Sequence, residues 1–62
     1  MKIGKTEYLT VKDFAKAKGC SLKTAYNWIN AGEDSDGYKI EWDRILEKTL
    51  VNIDLYKGKL NS

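Results

Sequence analysis

The sequence predicts a mainly α fold of three helices, with a small β-hairpin between the second and third. Three observations carry that expectation. Two short segments each start on a capping residue, Thr10 and Ser21, and stop at a glycine, Gly19 and Gly32. A third stretch, about Asp43 to Tyr56, repeats apolar residues at helical spacing. Between them Tyr38-Lys39-Ile40-Glu41-Trp42 alternates with period two and reads as a strand.

Residues 1–7 (MKIGKTE) read as a flexible leader, and residues 8–62 as one domain. Thr10-Val11-Lys12-Asp13 is a capping box with Asp in the Glu position, and Leu9 before it is placed to staple onto Phe14. Gly19-Cys20-Ser21 forms the turn to the second helix, Leu22 to Ala31. At about 100° per residue, Leu22, Ala25, Tyr26, Trp28 and Ile29 share one broad side. Lys23, Thr24, Asn27 and Asn30 share the other, which holds no acid. Gly32-Glu33-Asp34-Ser35-Asp36-Gly37 is turn chemistry. The third helix carries the stripe Ile45, Leu46, Thr49, Leu50, Ile53 and Tyr56, leaving Val51 and Leu55 on its far side.

A chain of 62 residues buries only about 60% of the surface its unfolded form exposes. That leaves room for one domain and none for a large catalytic cleft. With 42% hydrophobic residues and a net charge of +2, the composition is globular rather than disordered. Cys20 is the single cysteine and histidine is absent, so a disulfide, a structural zinc site and a Cys–His dyad are all excluded. Neither an enzyme nor a cofactor or metal site is expected. No apolar run is long enough to span a membrane, so the expected location is the cytoplasm. The modest net charge hides an asymmetry. Residues 1–32 carry six Lys against Glu7 and Asp13, giving +4. Residues 33–47 carry six acids against Lys39 and Arg44, giving −4, and residues 48–62 carry three Lys against Asp54, giving +2. A basic half on so small a domain suggests a nucleic-acid partner.

Residues 8–32, YLTVKDFAKAKGCSLKTAYNWINAG, resemble the helix-turn-helix of the MerR/excisionase (AlpA-like) winged-helix superfamily. Leu9-Thr10-Val11 matches the opening of its first helix, and Gly19-Cys20-Ser21 its tight turn. Thr24-Ala25-Tyr26-Asn27-Trp28-Ile29 matches its recognition helix, and Gly37-Tyr38-Lys39-Ile40 its wing strand. The resemblance implies a winged helix-turn-helix and a DNA-binding function. Small chains of that kind serve mobile elements or phages as transcriptional regulators or excisionases.

In that reading Asn27 and Asn30 pair with adenine in a major groove, and Lys23 reaches guanine or a phosphate. Ser21 and Thr24, at the helix N-terminus, hold a phosphate. Lys12, Lys16, Lys18 and Lys39 position the helix on the backbone, and Tyr26 adds an exposed ring. Trp28 and Trp42 are expected mainly in the core. Glu33, Asp34 and Asp36 depart from the family's basic wing, and the recognition helix has no Arg. These departures suggest a second reading. In it the chain is a non-enzymatic accessory subunit of a replication or recombination enzyme. It binds single-stranded DNA and offers Glu33, Asp34, Asp36, Val51 and Leu55 to a recombinase, polymerase or primase partner. The sequence does not specify an oligomeric state.

Overall fold

The computed structural model describes residues 1–60. Its elements run β1 (Lys2–Ile3), β2 (Thr6–Thr10), α1 (Val11–Lys18), α2 (Leu22–Ala31), β3 (Trp42–Ile45) and β4 (Lys48–Asn52). The strands form one antiparallel sheet in the order β1-β2-β4-β3. The two helices form where their caps place them. Thr10 Oγ1 accepts from the Asp13 amide at 3.1 Å, and Ser21 Oγ accepts from the Thr24 amide at 3.2 Å. Gly19 and Gly32 close the helices in the left-handed region, at φ 71° and 85°, where a Cβ would be strained.

The third helix is absent, and this overturns the three-helix, mainly α expectation. Residues 42–52 form a β-hairpin instead, and it follows the acidic loop rather than lying within it. Two helices stand against a four-stranded sheet. The expected strand at Tyr38–Trp42 shrinks to a single bridge, Glu33 with Lys39, and β3 begins only at Trp42. Lys2–Ile3 and Thr6–Thr10, in the stretch expected as a leader and at its edge, are strands of the sheet.

The reason lies in β4. It pairs with β2 on one side and β3 on the other, so it is a central strand, and both of its faces need apolar residues. Val51 sits opposite Leu9 and Trp42 and is fully buried against the helices. Leu50 is buried on the opposite face. A helix would have left Val51 in solvent. The sheet covers it, and the β-branched Thr49 and Val51 fit a pleated surface. Val51 therefore has no surface to offer a partner, whereas Leu55 is exposed.

Val11, Phe14, Ala15, Ala25, Ile29, Ile40, Val51 and Tyr56 make up the core, with Cys20 and Trp28 packed at its margin. Tyr56 meets Phe14 edge-on, with ring centroids 5.3 Å apart. Its hydroxyl donates to Asp34 Oδ2. Asp34 Oδ1 accepts from the amides of Asp36 and Tyr38, each at 2.9 Å, and Lys18 Nζ lies 3.7 Å from Oδ2. Burial pushes the Asp34 carboxyl up. The Tyr56 hydroxyl, the Tyr38 and Asp36 amides and the Lys18 charge outweigh that effect and hold it below the usual carboxylate range. Burial and the bond to Asp34 push the Tyr56 phenol upward. At Gly58 an added Cβ would collide with the Tyr56 ring and hydroxyl, so the chain crosses Tyr56 there only as glycine.

Leu46 and Glu47 form the two-residue turn between β3 and β4, with φ 53° and 63°. Both central positions need positive φ, which ordinarily selects Asn-Gly.

Three outcomes follow for stability. Asp34→Ala leaves the Tyr56 hydroxyl without its acceptor and Lys18 without its counter-charge, and should cost roughly 3 kcal/mol in urea denaturation. Because the folded carboxyl titrates below its unfolded value, its contribution is full above that unfolded value, near ~4, and fades as pH falls through the folded one. The acid limb of the stability profile should be shallower in Asp34→Asn. The pair Leu46→Asn with Glu47→Gly should raise stability by about 1–2 kcal/mol, read as a higher urea midpoint at unchanged slope.

Candidate nucleic-acid interface

The outer side of α2 presents Lys23, Asn27 and Asn30 to solvent, with Thr24 half-buried and no acid anywhere on the helix. Ala25 and Ile29 anchor the opposite side in the core. Ser21 Oγ and Thr24 Oγ1 also lie 2.9 Å apart, so both hydroxyls are committed to the cap and to each other. The Leu22 and Lys23 amides remain at the positive end of the helix.

A groove of about 460 Å³ opens beside this end of α2. Thr10, Val11 and Lys12 line it from the start of α1, Leu22 and Tyr26 from α2, and Arg44, Glu47, Lys48 and Thr49 from the hairpin. Three cations thus face one carboxylate. The pairing of Trp42 with Val51 and Arg44 with Thr49 puts Trp42 and Arg44 on the helix-facing side of β3. Asp43 points to the other side, where it accepts from the Tyr8 hydroxyl at 3.0 Å. The sheet's alternation therefore keeps that acid out of the groove.

Arg44 and Lys48 are absent from the sequence-derived residues, because a third helix placed them among its turns. The signal that finds them is Val51. The helical stripe strands it, whereas the period-two reading of Thr49 and Val51 buries it and turns Arg44 to the same side. Trp42, expected mainly in the core, is 45% exposed at the sheet edge, and Trp28 is half-buried.

The remaining expected residues divide. Lys12 lies in the groove and Tyr26 at its wall, 46% exposed. Lys16 faces elsewhere, on the rim of a second groove of about 580 Å³ lined by Leu9, Ala17, Ile53 and Leu60 with Glu7 and Asp13. Lys18 is unavailable to a phosphate. Its side chain is only 10% exposed, and its ammonium lies 3.7 Å from Asp34 Oδ2 and 5.4 Å from the Tyr56 ring centre and donates to the Lys59 carbonyl at 2.8 Å. Lys39 is exposed and paired with Glu41 at 3.2 Å. Asp34 is likewise unavailable to a partner, since its side chain is wholly buried. Glu33 and Asp36 alone of that acidic trio face solvent. They follow the C-terminal end of α2, whereas the groove is lined by Leu22 and Tyr26 of its first two turns. Among the described residues, no three His, Cys, Asp or Glu side chains converge on a point where they could hold a metal ion.

Two of the three lysines of α1, Lys12 and Lys18, separate cleanly in an experiment. Lys12→Ala should flatten the salt dependence of duplex binding by about one ion at unchanged stability. Lys18→Met should lower the thermal midpoint and leave the salt dependence as it was. Compared with protein-family models, curated proteins and solved structures, the chain matches none.

Proposed function

We propose that this chain is a non-enzymatic, cytoplasmic DNA-binding protein, a small transcriptional regulator or excisionase-like recombination factor of a mobile element. The resemblance of residues 8–32 supports this reading. The observation that carries it is the continuity of two surfaces: the acid-free outer side of α2, and the groove of Lys12, Arg44 and Lys48 at its N-terminal end. A helix with one amine and two amides outward suits a major groove, where Asn pairs with adenine and Lys reaches guanine. The groove suits the sugar–phosphate strand bordering that major groove, with its cations set against the phosphates. No helix among the described residues is long and apolar enough to cross a membrane.

A second reading has its own observation. The apolar groove of Leu9, Ala17, Ile53 and Leu60, with exposed Leu55, offers a surface for a protein partner such as a recombinase, polymerase or primase. In that case the chain is an accessory subunit, and its contact with DNA is weak and indifferent to sequence.

Fluorescence anisotropy against matched single- and double-stranded oligonucleotides, across a salt series, separates the two. The regulator reading expects duplex preference and a steep salt slope. Arg44→Ala and Lys48→Ala should each reduce that slope by about one. On a selected site, Asn27→Ala should cost about 1–3 kcal/mol and relax the preference at one base pair. Preference for single strands, with slopes unmoved by Arg44 and Lys48, would reject the duplex reading.

A further inference from the structure

β3 is an edge strand of four residues, and the ladder fixes which of its backbone groups face outward. The Asn52 amide donates to the Glu41 carbonyl at 2.8 Å, and the Ile53 amide donates to the Glu7 carbonyl at 2.9 Å. Along β4, residues 48, 50 and 52 therefore turn their backbone toward β3, and residues 51 and 53 toward β2. Asp43 and Ile45, opposite Leu50 and Lys48, point inward to meet them. The amides and carbonyls of Trp42 and Arg44 point out of the sheet, and among the described residues no group is hydrogen-bonded to them. Such an edge is ordinarily blunted by a lysine, a proline or a bulge. β3 has none of these, and its register with β4 is unbroken over four pairs. The other edge, β1, is two residues long and carries Lys2.

We propose that β3 pairs antiparallel with β3 of a second copy of this chain, joining the two sheets into one about a two-fold axis at Asp43. This inference is independent of duplex binding. The run Trp42-Asp43-Arg44 is complementary to itself in that register. Trp42 lies opposite Arg44 of the second copy, and Arg44 opposite its Trp42, so every outward amide finds a carbonyl. Directly opposite residues share a face. Trp42 and Arg44 both stand on the helix-facing side, exposed, so each guanidinium meets an indole and the contact occurs twice. Asp43 falls on the axis, on the other face, opposite its own copy. Its carboxylate accepts from the Tyr8 hydroxyl on β2, which reaches it across β4. That bond draws the charge inward, away from the edge. The neighbouring symmetric registers fit worse. One sets Arg44 opposite Arg44. The other sets Arg44 opposite Ile40, whose amide already donates to the Gly32 carbonyl at 2.9 Å. A contact of this size makes a weak dimer.

The test follows sedimentation and amide exchange of the whole chain from about 10 μM to about 1 mM, a range that spans weak association. The mass should approach that of a dimer at the upper end. The Trp42 and Arg44 amides should gain protection in step with it, by about tenfold, while those of Asp43 and Ile45 stay protected throughout. Trp42→Lys sets a lysine opposite Arg44 on the edge and should weaken association by about tenfold. Arg44→Pro removes an outward amide that the monomer's own ladder does not use, so the strand remains and the dimer is lost. Asp43→Asn relieves the like charges at the axis and should tighten association by about threefold. A chain that stays monomeric at the highest concentration would overturn the pairing. So would a dimer whose Trp42 and Arg44 amides remain unprotected, as one formed through the apolar groove of Leu9 and Ile53 would be.

Discussion

The structure depends on one buried charge. Asp34 leaves the loop after α2 and is received by groups from three otherwise separate parts of the chain. Lys18 comes from the end of α1, the Asp36 and Tyr38 amides from the loop itself, and the Tyr56 hydroxyl from the segment beyond β4. Taking a carboxylate out of water is expensive, and it is tolerated only where its lone pairs are met. Here they are, and no buried side-chain nitrogen or oxygen among the described residues lacks a partner. The network turns a run of turn residues into a fixed connector, so the C-terminal end of α2 is anchored. The hairpin then leaves Ile40, itself buried, in a defined direction. The basic groove exists because that direction is held.

The helical half of the fold was legible because its signals are local. A hydroxyl three residues before an amide, and a glycine at the end of an apolar stripe, act within a single turn. The hairpin was not legible in the same way. Residues 43–56 satisfy a helical stripe and a strand alternation at once, and its turn, Leu46-Glu47, carries none of the residues that announce a two-residue turn. What decides the outcome is the pairing of β4 with β2, residues about 40 positions apart in sequence, which no local window contains. Val51 marked the difficulty in advance, as a valine that the helical stripe had no place for.

The candidate site divides along the same line. Lys23, Asn27 and Asn30 were legible because a helix sorts its faces by period alone. Arg44 and Lys48 join them only through the hairpin, and so depend on long-range pairing. Lys18 and Asp34 show the opposite case. Charged residues are usually solvated, and both read as surface groups from sequence. Asp34 is buried and Lys18 largely covered, each beside the other and together with the Tyr56 hydroxyl that donates to Asp34, and a mutual arrangement of that kind leaves no trace in the spacing of either residue.

Thr10 belongs to two elements at once. Its backbone is the last rung of β2, opposite Leu50, and its hydroxyl is the first support of α1. No linker separates the two, so no segment is free to absorb a displacement between them. Sliding β2 by one residue would withdraw the hydroxyl from the Asp13 amide, and unwinding the first turn of α1 would loosen the strand end beside Leu50. Sheet and helix therefore open together or remain closed together. Amide exchange in β2 and in the first turn of α1 should share one opening event, and the small domain should behave as a single cooperative unit from its strands to the base of the groove.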